Sequence, residues 1–211
     1  MRFNTSITHL VLACIFALVS CTSEASKNKN YKILAFGDSL TAGYQLPASE
    51  SFPAQLEQIM TQEGYKLKIT NAGVSGDTSE QGLKRVDWAL KQGSYDIVLL
   101  CLGANDGLRQ LPVANMEKNL LQIIEKFEAA GTKVLLIGME LPSNLYRSYR
   151  SDFSEAYKKI AKKKNLPFLP FLLEGVAANP NLNLDDQIHP NAAGYKIIAQ
   201  NVMKFLKANL D

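Results

Sequence analysis

The chain has 211 residues, of which 46% are hydrophobic, and it carries a formal charge of +3. This length and this hydrophobic content favour one domain with a full core and leave too little chain for two. The small net charge gives no reason to expect a nucleic-acid partner.

The N-terminal segment, residues 1–20, is predicted to be a signal peptide outside the folded domain. Arg2 supplies the positive start, and the apolar run from Leu10 to Val19 is too short to span a bilayer. The run Leu18-Val19-Ser20-Cys21 resembles the lipobox of bacterial lipoproteins, in which the cysteine is lipidated and becomes the first mature residue. The alternative is an ordinary signal peptide that is cleaved nearby, for example at Ala25.

The lipobox interpretation divides the chain into the signal peptide, a lipidated Cys21 with a polar tether over residues 21–30, and a domain over residues 31–211. It predicts an exported lipoprotein of the bacterial cell envelope that faces the periplasm. The residue after the cysteine is Thr22 and not Asp, so anchoring in the outer membrane through Cys21 is expected. Of the other two cysteines, Cys14 falls in the signal peptide and Cys101 in an apolar strand, so no disulfide is expected.

Predicted strands and helices alternate from residue 32 onward. Strands are predicted at 32–36, 66–70, 95–102, 133–137 and 167–171, and helices at 52–63, 78–90, 112–130, 151–165 and 190–210. The nearly continuous apolar run at 95–102 is typical of a central parallel strand that is buried on both faces. The fold class is therefore predicted to be α/β, a three-layer α/β/α sandwich with a five-stranded parallel sheet.

A serine, an aspartate and a histidine stand out as candidates for chemistry. Ser39 directly follows the first strand, at the edge of a parallel sheet where such folds bind ligands. Outside the signal peptide the chain has a single histidine, His189, and Asp186 precedes it by three residues. A nucleophilic serine needs a base and a group that orients the base, which His189 and Asp186 would supply. Alternatively, Asp186 caps a helix entry and His189 is a polar surface residue.

Two further loops follow strands of the same predicted sheet and carry Gly76 and Asn105. The backbone N–H groups of Ser39 and Gly76 and the side-chain amide of Asn105 are suitable donors for the oxyanion of an acyl-transfer reaction. Each also has a structural explanation. In that alternative, Gly76 permits a tight turn, Asn105 belongs to a simple turn, and Ser39 caps a helical turn.

Taken together, these loops resemble the GDSL or SGNH hydrolase family, in which four sequence blocks occur in a fixed order. The four blocks are Phe36-Gly37-Asp38-Ser39-Leu40, Gly73-Val74-Ser75-Gly76-Asp77-Thr78, Gly103-Ala104-Asn105-Asp106 and Asp186-Gln187-Ile188-His189-Pro190. The chain is most similar to the bacterial thioesterase I / lysophospholipase / arylesterase group. It departs from that group at Ala104, where a second glycine is common.

The resemblance implies a flavodoxin-like SGNH fold, a catalytic triad of Ser39, His189 and Asp186, and an oxyanion hole formed by Ser39, Gly76 and Asn105. Asp38 is then expected to stabilise the turn rather than to act as the catalytic acid. With one histidine in the mature chain and no cysteine cluster, no metal and no cofactor are expected. The implied reaction is hydrolysis of carboxylic esters or thioesters through an acyl-enzyme.

The substrate is predicted to be a small-molecule or lipid ester, and lysophospholipids or acyl and aryl esters fit an exported enzyme. An acyl groove is expected to use apolar residues of two loops, namely Leu108, Leu111, Pro142, Leu145 and Tyr146. The alternative is that these side chains only pack the loops onto the domain. The alternatives are a carbohydrate O-deacetylase and a non-catalytic envelope-binding lipoprotein. The domain is expected to be monomeric.

Overall fold

The computed structural model describes residues 27–210, so the predicted signal peptide and Cys21 lie outside the described residues, as does most of the predicted tether. A sheet of five parallel strands forms the centre of this part of the chain, in the order β2-β1-β3-β4-β5. The strands are β1 (Asn30–Gly37), β2 (Lys66–Gly73), β3 (Ile97–Cys101), β4 (Lys133–Ile137) and β5 (Phe168–Leu169). The predicted fold class and five-stranded parallel sheet are confirmed.

The helices cover both faces of this sheet. They are α1 (Ser39–Ala42), α2 (Phe52–Gln62), α3 (Ser79–Lys91), α4 (Ala104–Leu108), α5 (Val113–Ala129), α6 (Arg147–Lys164) and α7 (Ala192–Lys207), with short 3₁₀ helices at Ala48–Glu50 and Pro180–Leu182. Alternate residues of the central strands point to opposite faces, so Ile33 and Leu99 pack with α2 and α7. Leu34 and Leu100 pack with α3, α5 and α6. Two apolar cores therefore enclose the sheet. No helix among residues 27–210 is long and apolar enough to cross a bilayer.

Several helix boundaries differ from the predictions made from sequence. The predicted helix at 151–165 begins four residues earlier, at Arg147, without a side-chain cap. Ser151 is a better capping residue by type, and that preference misplaced the start of the helix. Thr78 caps α3 in a capping box with Gln81, as its position suggested. The short helices α1 and α4 were not predicted.

Strand register places the three loops of interest side by side. Gly37, the last residue of β1, pairs with Gly73 of β2 on one side and with Cys101 of β3 on the other. The three strands therefore end at the same level, and the segments that follow them leave the sheet as neighbours. These segments carry Ser39, Gly76 and Asn105.

Candidate active site

Ser39 is the first residue of α1 and lies one residue beyond Asp38, which caps that helix. Asp38 Oδ1 accepts a hydrogen bond from the backbone N–H of Leu40 at 3.0 Å, so Asp38 stabilises the turn as expected. The turn is possible only because residue 37 is glycine. A Cβ atom there would lie 2.0 Å from Thr41 Oγ1 and 2.7 Å from the Cys101 carbonyl oxygen.

The structure brings together the three residues predicted to form the triad. His189 Nε2 lies 2.9 Å from Ser39 Oγ, and His189 Nδ1 lies 2.6 Å from Asp186 Oδ2. An ionised carboxylate only accepts hydrogen bonds, so Nδ1 carries the ring proton and Nε2 is left to accept the hydroxyl proton of Ser39. This arrangement suits general-base activation of a serine.

Asp186 is held by its own segment as well as by the histidine ring. Its second oxygen, Oδ1, accepts hydrogen bonds from the backbone N–H groups of Ile188 and His189, each at 2.9 Å. Partial burial acts to raise the pKa of Asp186, but the bonds from the backbone and ring of His189 and from the backbone of Ile188 outweigh it and hold that pKa below its ordinary value. Asp186 is therefore ionised at neutral pH, as its orienting role requires.

The three predicted oxyanion donors lie in segments that contact one another. Ser39 begins α1, so its N–H has no partner within that helix. Gly76 has a φ of +85°, a left-handed conformation that side chains disfavour. Asn105 Nδ2 donates to the carbonyl oxygen of Asp77 at 3.0 Å, and the same amide group has a second hydrogen to offer. Arg109 Nη2 donates to the Gly76 carbonyl at 2.9 Å and so links the two loops again.

Asp106 lies next to Asn105 and ties this segment to the start of α3. Its carboxylate accepts from the backbone N–H of Ser79 at 2.7 Å and from the Ser79 hydroxyl at 2.6 Å. The hydroxyl also accepts from Asn119 Nδ2 at 3.0 Å. All the groups of this network are paired with one another, which fits a rigid support beneath the donor loops.

An apolar cavity of about 630 Å³ opens beside the serine. Its polar lining residues include Ser39, Asn105 and His189 of the site, together with Glu140, Ser143, Asn183 and Gln187. Its apolar wall includes Leu40, Leu108, Met139, Leu141, Pro142, Phe171 and Leu173. A cavity of this size, with this many apolar side chains, fits an apolar acyl group whose carbonyl lies beside Ser39.

Of the residues predicted to bind substrate, Leu108 and Pro142 line this cavity, whereas Leu111, Leu145 and Tyr146 do not. Leu145 packs against the core, and Tyr146 is 78% exposed at the start of α6. The Leu111 carbonyl accepts a hydrogen bond from the Tyr149 hydroxyl at 2.6 Å. Because α6 begins at Arg147, Leu145 and Tyr146 lie at the entry to that helix and not in the cavity wall.

The segment after β5 also contributes to the wall, and this contribution was not predicted from the sequence. Phe171 and Leu173 line the cavity, as does Ile188 from the segment that carries His189. The signal that would have found the first two is their position, because they follow a strand at the same edge of the sheet as Ser39.

The free thiol of Cys101 lies beneath this site, and burial strongly raises its pKa. A thiol in that state is a poor nucleophile. Within residues 27–210, no group of three or more His, Cys, Asp or Glu side chains is placed to hold a metal ion.

Comparison with known proteins gives a consistent result. Residues 35–197 match the GDSL-like lipase/acylhydrolase family. The chain is 35% identical over 201 residues to an arylesterase of Vibrio mimicus, covering 95% of this chain and 98% of that protein. It is 42% identical over 175 residues to thioesterase 1/protease 1/lysophospholipase L1 of Escherichia coli, with 83% of each chain covered.

A solved structure agrees with these relatives. The psychrotrophic esterase EstA from Pseudoalteromonas sp., inhibited by monoethylphosphonate, matches with a TM-score of 0.82 and 31% sequence identity. The match covers 86% of this chain and 99% of that one.

Proposed function

The chain belongs to the GDSL-like lipase/acylhydrolase family and is an ester hydrolase, and we propose that Ser39, His189 and Asp186 are its catalytic triad. The observation that carries this proposal is the unbroken chain of contacts from Asp186 through His189 to Ser39 Oγ, at 2.6 and 2.9 Å. The serine at the end of that chain lines the apolar cavity.

The reaction proceeds in two steps through a covalent acyl-enzyme. His189 Nε2 takes the proton of Ser39 as Oγ attacks the ester carbonyl carbon, and the N–H groups of Ser39 and Gly76 and the Asn105 amide bind the resulting oxyanion. His189 then gives the proton to the leaving alcohol or thiol as its bond to the carbonyl carbon breaks. In the second step, water repeats the attack on the acyl-enzyme, and Ser39 regains its proton.

The substrate we propose is an ester or thioester with an apolar acyl chain, of which a lysophospholipid is one example. The apolar wall of the cavity supports this choice over an acetylated carbohydrate, because an acetyl group would leave most of that wall uncovered. The relative in Escherichia coli is named as a lysophospholipase and thioesterase, and the relative in Vibrio mimicus as an arylesterase.

Hydrolysis of p-nitrophenyl esters from acetyl to palmitoyl, together with lysophosphatidylcholine, tests the proposal. We expect kcat/KM to rise by up to about fourfold for each added CH₂ until the cavity is full, because burying one CH₂ is worth about 0.8 kcal/mol. Ser39→Ala should abolish the activity, while Ser154→Ala on α6 should retain it. A preference for acetyl sugars would favour the deacetylase alternative. A folded protein that hydrolyses none of these esters would contradict the proposal.

We also propose that the protein is a monomeric lipoprotein of the bacterial cell envelope, anchored through Cys21 and facing the periplasm. The lipobox-like sequence before Cys21 supports this. β1 starts at Asn30 and ends beside Ser39, so the tether would join the domain at the edge of the sheet opposite the site. A site facing away from the anchoring membrane would then be open to esters in the periplasm.

Metabolic labelling with a palmitate analogue tests the anchor, and light scattering of the soluble domain tests the monomer. We expect label and membrane association in the full chain and neither in Cys21→Ala. Label that persists in Cys21→Ala would contradict the assignment of the anchor.

A further inference from the structure

One arginine of α3 reaches two of the loops that form the site. Arg85 Nε lies 2.6 Å from Asp77 Oδ2, and Arg85 Nη2 donates to the carbonyl oxygen of Gly37 at 2.8 Å. The guanidinium carbon lies 3.9 Å from the centre of the Phe36 ring. The guanidinium is therefore fixed by three contacts, two of them polar and one with an aromatic face.

The two polar acceptors are immediate neighbours of catalytic groups. Gly37 ends β1 and is separated from Ser39 only by Asp38. Asp77 directly follows Gly76, whose backbone N–H is one of the proposed oxyanion donors. The Gly37 carbonyl also accepts from the backbone N–H of Val74 at 3.0 Å, so two contacts join the end of β1 to this loop.

The burial of the pair limits how much net stability it can contribute. The side chains of Arg85 and Asp77 are only 17% and 9% exposed. Removing both charges from water costs much of what their attraction returns, so a buried pair of this kind adds little net stability. What the planar guanidinium does provide is a fixed separation and angle between its two acceptors.

We propose that Arg85 is a positioning residue that sets the distance between Ser39 and the Gly76 N–H. This inference rests on the proposed function, because it needs Ser39 as nucleophile and Gly76 as oxyanion donor. If the guanidinium is lost, the Gly76 loop can shift relative to the serine. A shift of about 1 Å in such a group can cost on the order of 10² in rate.

Arg85→Lys is the informative substitution, because the ammonium keeps the charge but cannot reproduce the two-pronged contact. We expect kcat to fall by about 10- to 100-fold with an unchanged KM and a thermal midpoint close to that of the native chain. Lys84→Ala is the matched control on the same helix, since Lys84 pairs with Glu80 at the surface. It should behave as the native chain does.

Two further measurements separate positioning from a structural role. In Arg85→Lys combined with Asn105→Ala, the losses in kcat should be less than multiplicative, because both act through the oxyanion hole. Arg85→Ala leaves the Asp77 carboxylate buried without its cation, so added methylguanidinium should restore part of both its kcat and its thermal midpoint.

Three outcomes would overturn the inference while leaving the proposed function intact. They are a stable Arg85→Lys variant with full kcat, a loss confined to KM, and fully multiplicative losses with Asn105→Ala. The proposed function itself fails in a different way. In that case the native chain hydrolyses no ester or Ser39→Ala remains active, and the inference about Arg85 falls with it.

Discussion

The two sides of the site are held in place in different ways. On the oxyanion side, formed by the segments around Ser39, Gly76 and Asn105, the supporting contacts join loops from different strands. On the other side, the histidine segment (residues 184–190) is held mostly by bonds within itself. Asp186 accepts from the backbone N–H groups of Ile188 and His189 within the same turn, and the Leu184 N–H donates to the His189 carbonyl at 2.7 Å.

This difference determines which substitutions should matter and why. The oxyanion side depends on residues distant in sequence, so a change in α3 can alter a loop that follows β1. The histidine segment depends on Asp186, which forms the turn with one oxygen and orients the ring with the other. A substitution at Asp186 therefore affects both the shape of the segment and the chemistry of His189.

Among substitutions that leave the nucleophile in place, the largest effect is expected at Asp186, where two substitutions separate its two tasks. Asp186→Asn keeps an oxygen for the turn but removes the carboxylate that holds the ring tautomer, so kcat should fall on the order of 10⁴-fold. Asp186→Ala removes the turn contacts as well and should be lower still or less stable. Steady-state kinetics and thermal unfolding of both variants measure this. If the two variants proved equal in both rate and stability, the turn would not depend on Asp186.

Asn105→Ala tests the oxyanion side. Loss of one donor should lower kcat by about 10²–10³-fold, and KM should change little. The backbone contacts of the loop remain, so the thermal midpoint should stay near that of the native chain. Measurement of kcat, KM and thermal unfolding on the same preparation tests these expectations. Full activity in a folded Asn105→Ala protein would remove Asn105 from the oxyanion hole.

Much of this arrangement could be predicted from the sequence because the inner strands β1, β3 and β4 contain apolar runs and the parallel sheet aligns the strand ends. The spacing of Asp186 and His189 likewise suggested a local pair. The four-residue helix α1 and five-residue helix α4 could not be predicted, because a single turn has no periodicity and forms only through packing. The role of Arg85 could not be predicted either, because its acceptor Gly37 lies 48 residues away in the sequence.

The oxyanion side also contains a buried carboxyl whose ionisation should affect stability. Asp38 is 1% exposed, and its Oδ2 has no hydrogen-bond partner among the described residues. Burial raises its pKa to about 7, and Asp77 and Asp106 add to the rise. A carboxyl whose pKa is higher in the folded state stabilises the fold fully below its ordinary pKa of 3.8, and this contribution is lost as the pH rises through about 7.

Asp38→Asn makes that loss measurable. The amide oxygen can keep the bond to the Leu40 N–H, but the side chain no longer titrates. Between pH 5 and pH 8, the free energy of unfolding of the native chain should therefore fall by about 2–3 kcal/mol relative to the variant. Urea unfolding of both proteins at both pH values measures this difference. The titration of groups that the two proteins share cancels in the comparison. If the free energies of unfolding of the two proteins differed by the same amount at both pH values, Asp38 would not titrate in this range.

The smallest effect is expected at Tyr44, the residue that joins the two sides. Its backbone N–H donates to the Ser39 carbonyl at 3.2 Å, and its ring packs against the His189 ring with centroids 4.4 Å apart and planes tilted by 37°. The imidazole becomes positively charged during proton transfer, and an aromatic face at a partly exposed site stabilises a cation by about 0.5–1 kcal/mol. Tyr44→Leu should therefore lower kcat by about two- to fivefold.

Tyr44→Phe is the matched control, because it keeps the ring face and removes only the hydroxyl. It should retain the native kcat if the ring acts through its face. Comparison of both variants with the same ester under saturating conditions measures the effect. Equal losses in the two variants would assign the role to the hydroxyl. A fully active Tyr44→Leu variant would mean that the two sides of the site work together without this contact.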